Sequence, residues 1–478
     1  MQYKVVGNIE HVILTRCIDH SKQIKEGDIF VCQTSNRLFV AEAIQKGAIA
    51  VVSEKFIADC FIPQIIIPTD MRLFMKRIST NVYNRYGSNM KVVGVTGTNG
   101  KTTVTSFIAQ LLMQQNKSVC MIGTLGVYVN GKKLDLFLRK NTTLPFFDFM
   151  QVVTYCAVHQ VEYIVLEASS QGLLEERLGN YPVDVGVFLN IGKDHLEFHG
   201  GEKPYKKSKQ LLTRLSKKLI INQEDEWCRS VANDSPLPII RFGQCESNDI
   251  VYEKADYTKE MIAYKFLVKD RILQVEMNNS GYYNGMNLAA AIATMHAFNI
   301  PLEEIKEVKL PQGRLERIKN NKGINVLVDY AHTPDALEAS ISAIQSYAKK
   351  NVYVVFGCGG NRDKQKRRQM GEIATKYATK TIVTSDNPRN ESPEAIIEDI
   401  VRYVEQSKVL VEKDRKQAII LALSIATEGD IVLIAGKGHE QEQIIHDLAV
   451  PFSDQEVVRD YFEALGLGGV ITKNEPVA

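Results

Sequence analysis

Lys101 sits between Gly100 and the pair Thr102 and Thr103, at the end of residues 91–103, KVVGVTGTNGKTT. An apolar run, a glycine-rich turn and then VTSFIAQLL, with apolar residues at helical spacing, read as strand, loop and helix. That arrangement suits phosphate chemistry. The loop's backbone N–H groups and the start of the helix form a cradle for phosphate oxygens. Lys101 adds a point charge, and the Thr102 hydroxyl is placed to hold Mg²⁺. The general pattern G-x-x-x-x-G-K asks for glycine at 95; this chain has Val95, with Gly94 and Gly97 on either side.

Other candidate residues fall just after apolar runs. Glu167 follows VEYIVL, and Asp194-His195 follow VDVGVFLN and a short turn. A carboxylate oxygen is a hard ligand that suits Mg²⁺. Glu167 and His195 converge on the phosphates if their strands neighbour 91–96. Residues 205–212, YKKSKQLL, hold Lys209 and read on their own as a solvated lysine face. Later, DYAH (329–332), GCGGNRD (357–363), DNPR (386–389) and GKGHE (436–440) each follow an apolar strand. Singly, N-P and G-G are turn formers. Four polar loops at four strand ends read together as one mouth.

The elements that must position these residues restart along the chain. Residues 1–88 read as a small module with strands at 28–32 and 48–52, a helix at 38–46 stopped by Gly47, and a linker at 86–88. From 89 to 310, strand and helix alternate, as in a mostly parallel sheet covered on both faces. Its clear strands are 161–166, 183–190 and 218–222, its strong helix is 287–298, and 244–280 reads as shorter, more polar strands. From 311 to 478 the pattern restarts, with strands at 325–329, 352–356, 381–384 and 431–435 and helices such as 335–349 and 393–406. The fold class is α/β in three domains. These are a small N-terminal α/β module, a central P-loop doubly wound sheet and a C-terminal Rossmann-like doubly wound sheet. In such sheets ligands bind beyond the carboxyl ends of the strands, where these polar loops lie.

Composition narrows the class. The 478 residues are 45% hydrophobic and 24% charged, ordinary values for a soluble globular protein. A net charge of +2 gives no reason to expect nucleic acid as the main partner. Eight scattered cysteines without a C-x-x-C pair suit a reducing cytosol and argue against a disulfide framework or a structural zinc site. The opening residues lack the basic-then-apolar order of a signal peptide, and no apolar run approaches the roughly 20 residues that cross a bilayer. The expectation is a cytoplasmic, monomeric enzyme with small-molecule substrates and no membrane partner.

The combined motifs GVTGTNGKTT (94–103), EASS (167–170), Asp194-His195, NGMN (284–287), Gly313-Arg314 with Glu316, DYAHT (329–333) and GKGHE resemble the Mur ligases. These are the ATP-dependent amide-bond-forming enzymes of peptidoglycan precursor synthesis, on which cell shape and division depend. The resemblance covers the second and third domains throughout and the first in part. GCGGNRD, DNPR, GKGHE and FSDQEVVR (452–459) are most similar to the branch that adds the third residue of the stem peptide.

The resemblance implies a role for each residue. Gly97, Thr98, Asn99, Gly100, Lys101, Thr102 and Thr103 would hold the ATP phosphates. Asn284 and Asn287 would lie near the adenine, and Arg314 and Asp329 would hold ATP from the third domain. Glu167 and His195, with Thr102, would bind Mg²⁺. Lys209 would carry a carbamate, which turns a cation into an oxygen ligand for a second Mg²⁺. Lys101, Glu167, His195 and Lys209 are thus the implied catalytic set. Ser21, Thr142, Thr143, Ser169 and Arg177 would contact a UDP-linked muramoyl dipeptide. Arg362, Asp386, Asn387, Arg389, Gly436 and Glu440 would contact the incoming amino acid. Arg389 stands where members that add meso-diaminopimelate place an arginine, whose planar fork matches a carboxylate. The implied reaction is ATP-dependent addition of meso-diaminopimelate to UDP-N-acetylmuramoyl-L-alanyl-D-glutamate through an acyl phosphate.

The first domain departs from the family pattern. Its D-S-R reads His20-Ser21-Lys22, the D-G-H-D-F stretch is replaced by QTSNRL (33–38), S-S-H reads Ser169-Ser170-Gln171, and N-T-T-P reads Asn141 to Leu144 with Pro145 one place late. All four departures touch the UDP-substrate side and none touches ATP. Two alternatives follow: a diverged amino-acid ligase acting on another carboxylate, and a catalytically inactive nucleotide-binding regulator. Joint retention of Lys101, Glu167, His195 and Lys209 speaks against the second.

Overall fold

The structure is a computed structural model. It describes residues 3–466 apart from 10–15, 34–36, 69–70, 193, 195, 254, 259–260, 270, 279–280, 303–304 and 306. The chain forms two compact units. The first is Met1–Gly94, Lys117–Gly186 and Ser208–Lys218; the second is Val95–Asn116, Val187–Lys207 and Leu219–Ala478.

The first unit opens with a five-stranded sheet in the order Lys4–Val6, Gln64–Ile66, Ala50–Ser53, Ile29–Cys32, Cys17–Ile18. All neighbours are parallel except the first pair. Ile29–Cys32 and Ala50–Ser53 are buried along their whole length, as parallel strands covered on both faces must be. Helix Arg37–Gln45 ends at Gly47, whose φ of +99° lets the Ala48 N–H bond back to Ala43 O at 3.0 Å. That closure uses residue 48, so the next strand starts at Ala50 rather than at 48. A helix unforeseen in the sequence, Met71–Tyr86, fills the space before a one-turn 3₁₀ segment, Gly87–Asn89. Residues 86–88 are thus the last residue of that helix and the start of the 3₁₀ turn.

Beyond it, the first unit carries strands ordered Tyr163–Glu167, Val119–Gly123, Gly126–Val129 and Lys132–Lys133. Tyr163–Glu167 pairs parallel with Val119–Gly123, which turns back antiparallel onto Gly126–Val129. The Arg139 guanidinium ties the two parts of this unit together. It donates to both oxygens of Asp19, at 2.7 and 3.1 Å, and to both oxygens of the fully buried Asp148 at 2.9 and 3.0 Å.

In the second unit, helix Lys101–Gln114 packs against helix Gly281–Ala297, each buried along most of its length. Strands Ser216–Asn222, Ile239–Gly243 and Ile250–Tyr252 run parallel, followed by the antiparallel hairpin Met261–Val268 and Arg271–Asn278. A six-stranded sheet follows in the order Glu316–Ile318, Asn325–Asp329, Ile431–Ala435, Val352–Phe356, Lys380–Val383, Val409–Val411. Its last five strands are parallel, so their carboxyl ends share one edge. Apolar side chains cover both faces of this sheet, as a doubly wound fold requires.

Candidate active site

The strand Lys91–Thr96 leads into the loop of residues 97–100 and then into helix Lys101–Gln114. Gly100 has φ +88°, and a side-chain carbon there would lie 2.5 Å from Asn287 Oδ1. Only glycine meets both conditions at that turn. Asn190 fixes the loop from outside, accepting from the Asn99 N–H at 2.9 Å and donating to the Asn99 carbonyl at 3.1 Å. The Lys101 ammonium folds over the loop and donates to the carbonyls of Gly97 and Thr98 at 3.0 and 2.9 Å. Thr102 and Thr103 are buried at the helix start.

This loop forms one wall of a cleft of about 430 Å³ in the second unit. Asn99, Gly100 and Thr103 lie on one side, Tyr282, Tyr283, Asn284 and Asn287 along the next, and Arg314, Asp329 and Ser340 across from them. Asn287 Nδ2 donates to Asn284 Oδ1 at 2.8 Å, which sets both amides beside the loop. Arg314 Nη2 donates to Thr102 Oγ1 at 3.2 Å, and its guanidinium lies 4.6 Å over the Tyr330 ring. Asp329 takes the Leu315 N–H at 3.1 Å and the Ser340 hydroxyl at 2.5 Å. Burial pushes the Asp329 carboxyl above its ordinary value, against the pull of Ser340 and Arg314.

The four polar loops of the C-terminal sheet do form one mouth. Gly436 N donates to Asp329 O at 3.0 Å, Gly360 N to Asn387 O at 2.9 Å, and Arg389 Nη1 to Gly360 O at 2.9 Å. Gly436, at φ +114°, leaves room for Asp386, since a side-chain carbon there would meet Asp386 Oδ2 at 2.8 Å. Sequence reading missed Lys437, although it lies inside GKGHE. Its side chain is fully buried and donates to Glu440 Oε2 at 2.8 Å, Glu442 O at 2.7 Å and Asn387 Oδ1 at 3.1 Å. Asn387 Nδ2 donates to the same Glu440 oxygen at 2.9 Å.

Arg389 is half-buried and has φ +52°. Burial and the neighbouring Arg362 charge pull its guanidinium below the ordinary arginine range. Among the described residues it pairs with no carboxylate. Glu391 is taken by Arg367 at 3.0 Å and Glu394 by Lys413 at 2.8 Å.

In the first unit, strand Tyr163–Glu167 ends in a buried carboxylate. Thr124 donates to it twice, from N–H to Oε1 at 2.8 Å and from Oγ1 to Oε2 at 3.1 Å. Thr124 carried no motif and was not legible as a partner. Thr143 Oγ1 donates to Glu167 O at 2.7 Å, takes the Ser169 N–H at 2.8 Å and meets the Ser169 hydroxyl at 2.9 Å. Arg177 Nη1 donates to Thr143 O at 2.7 Å, and Thr124 Oγ1 bonds Thr142 Oγ1 at 3.1 Å. Thr142, Thr143, Glu167, Ser169 and Arg177 are thus one cluster. Ser21 is tied elsewhere, donating to Glu42 Oε2 at 2.5 Å. Lys209 is 1% exposed, so the solvated-face reading of its lysine run does not hold at this position. His195 lies outside the described residues.

Two family models match the chain: the Mur ligase middle domain over residues 95–295 and the Mur ligase, glutamate ligase domain over 313–438. A UDP-N-acetylmuramoyl-L-alanyl-D-glutamate–2,6-diaminopimelate ligase of Caldanaerobacter subterraneus subsp. tengcongensis is 33% identical, over 96% of this chain and 97% of its own. A solved ligase of the same name is 29% identical with a TM-score of 0.63, covering 94% of this chain and 95% of its own. The MurF ligase of Thermotoga maritima, solved with ADP, shares the fold at a TM-score of 0.67 and 21% identity, over 95% and 98% of the two chains. The chain belongs to the Mur ligase family.

Proposed function

We propose that this chain is an ATP-dependent, ADP-forming ligase that adds meso-diaminopimelate to UDP-N-acetylmuramoyl-L-alanyl-D-glutamate in peptidoglycan synthesis. The carrying observation is Arg389. A half-buried guanidinium beside a second cation, Arg362, with Glu391 and Glu394 ion-paired elsewhere and only the more distant charges of Asp386 and Glu440 to offset it, suits an anionic ligand. Diaminopimelate differs from lysine by a distal carboxylate that would meet this need. Glu440, with Oε2 held by Lys437 and Asn387, and Asp386 suit the ammonium next to it.

In this reading residues 97–103, Asn284, Asn287, Arg314 and Asp329 bind ATP. The cleft and the constrained glycine at 100 fit a nucleotide's phosphates. Thr142, Thr143, Ser169 and Arg177 take the UDP-linked dipeptide, with Ser21 nearer its uridine end. Domain roles follow as 1–88 for the UDP substrate, 89–310 for ATP and 311–478 for the amino acid. Thr102 and Glu167 each offer an oxygen of the kind Mg²⁺ accepts, and a carbamylated Lys209 would offer others. Bound Mg²⁺ would screen the charge that builds between two anions.

A carboxylate is a poor electrophile, so the substrate's terminal carboxylate must first become an acyl phosphate. Lys101 would move from its loop carbonyls to the phosphates. The amine must arrive neutral to attack, and the acyl phosphate must be kept from water until it does. The enzyme acts as a monomer in the cytoplasm; no helix among the described residues is long and apolar enough to cross a membrane. The test is phosphate release from ATP, with and without the UDP-linked dipeptide, over a panel of amino acids. Release that requires both the dipeptide and diaminopimelate is expected. Release with another acid favours a diverged ligase, and no release at all favours a regulator.

A further inference from the structure

Gln455 opens the last helix, Asp454–Ala464, and is 1% exposed. Its amide is fully engaged. Nε2 donates to Glu316 Oε2 at 3.0 Å and to Gly438 O at 2.9 Å, while Oε1 accepts from Ser453 Oγ at 3.0 Å. Glu316 Oε2 also takes the Gly313 N–H at 2.9 Å. One amide therefore bridges the turn that carries Arg314 and the loop that carries Lys437 and Glu440.

These two segments touch backbone to backbone. A side-chain carbon on Gly313 would lie 2.2 Å from His439 N, and one on Gly438 would lie 2.7 Å from Gly313 O. Tyr330 fills the remaining space. Its ring lies under the Arg314 guanidinium at 4.6 Å and 5.1 Å from the His439 ring. Neither segment can shift without pushing the other, so the amide holds a single piece with two working ends. Arg314 reaches Thr102 at one end. Glu440 takes the Asn387 amide at the other, beside Arg389.

We propose that Gln455 is a positioning residue that couples nucleotide binding to amino-acid binding through this shared piece. The proposal rests on the reading above, in which Arg314 contacts ATP and Glu440 contacts the amino acid. Coupling between two sites is a reciprocal free energy, commonly a 5–150-fold change in affinity. A residue that only stabilised the fold would weaken both ligands without touching that ratio.

The experiment is calorimetric titration of the full chain with Mg²⁺-ADP, with and without saturating diaminopimelate, in wild type and Gln455→Met. Wild type should bind ADP at least about fivefold tighter with the amino acid present. In Gln455→Met the ratio should fall to within about twofold of unity, on the same scale. Gln455→Asn, whose shorter amide cannot reach both acceptors, serves if the first variant does not fold. A wild-type ratio of one, or an unchanged ratio in a folded variant, overturns the proposal. The substrate reading fails separately. If the phosphate-release assay selects another amino acid, the titration uses that one, and the coupling claim is tested all the same.

Discussion

The Lys437 ammonium lies 2.8 Å from Glu440 Oε2 and 3.1 Å from Asn387 Oδ1, fully buried where the 436–440 loop meets the 386–389 loop. Asn387 Oδ1 also takes the Ile444 N–H at 2.9 Å, so this amide is largely spent on structure. Lysine to methionine at 437 keeps length and removes three charged hydrogen bonds, each worth about 1.5–3 kcal/mol. Lys437→Met should lower the melting temperature and raise KM for the amino acid at least about tenfold, one such bond's worth. KM for ATP should move less. Steady-state kinetics with a thermal melt check this, and an unchanged amino-acid KM would show that Glu440 needs no anchor.

Lys101→Ala should abolish ligation while leaving the fold intact. Losing a charge aimed at the phosphates should cost about 3 kcal/mol or more of transition-state stabilisation, the scale of one preorganised donor. Near-normal turnover in the purified variant would sink the phosphate-loop assignment.

Lys209→Ala should be almost inactive, and short carboxylic acids added to the assay should restore part of the rate. Lys209 is 1% exposed, so its side chain stands inside the fold, where a ligand-bearing group would have to be. Full activity without added acid would count against a carbamate.

Arg389→Ala should lose most activity toward diaminopimelate, and wild type should disfavour lysine by about two orders of magnitude or more, since a site built around donors rejects a ligand that leaves them unpaired. Comparable catalytic efficiencies for the two amino acids in wild type would show that Arg389 does not read a distal carboxylate.

Glu391 offers a pH test beside this site. Hydrogen bonding to Arg367 holds its carboxyl down at about 2, helped by the Asn361 N–H and Lys364. A depressed carboxylate adds stability above its unfolded pKa of about 4.3 and loses it as pH falls toward the folded value. Glu391→Gln should therefore flatten the loss of stability between about pH 4.3 and 2. Chemical denaturation across that range measures it; parallel curves for wild type and variant would remove Glu391 from the acid response.

Much of this was legible in the sequence, for identifiable reasons. Asn325–Asp329, Val352–Phe356 and Ile431–Ala435 stand where continuous apolar runs placed them, because parallel strands covered on both faces need no polar alternation. The mouth of polar loops followed from those strand ends. Helix Met71–Tyr86 was missed because its polar, arginine-containing run, MRLFMKRISTNVYNRY, buries few side chains and shows no clean apolar stripe. Lys209 looked like part of a solvated run because local charge density does not reveal which lysine turns inward. Thr124 and Gln455 were invisible as partners because their hydrogen bonds reach residues 43 and 139 positions away. Sequence spacing carries local geometry, and these contacts are made by tertiary packing.

The pair Arg415 and Asp454 has a consequence for synthesis. Both side chains are completely buried, joined by two bonds of 2.8 Å, and the same guanidinium holds the carbonyl of Ala435, just before the 436–440 loop. An arginine buried without its carboxylate is strongly destabilising, by about 3–5 kcal/mol. While the chain emerges from the ribosome, the strand Ile431–Ala435 is made before Asp454 exists to neutralise its neighbour. Chains fold from the N-terminus as they are made. The phosphate loop can therefore assemble early, but the amino-acid mouth must wait for residue 454. A nascent chain stalled before that point would hold nucleotide-binding parts without a settled place for the third substrate.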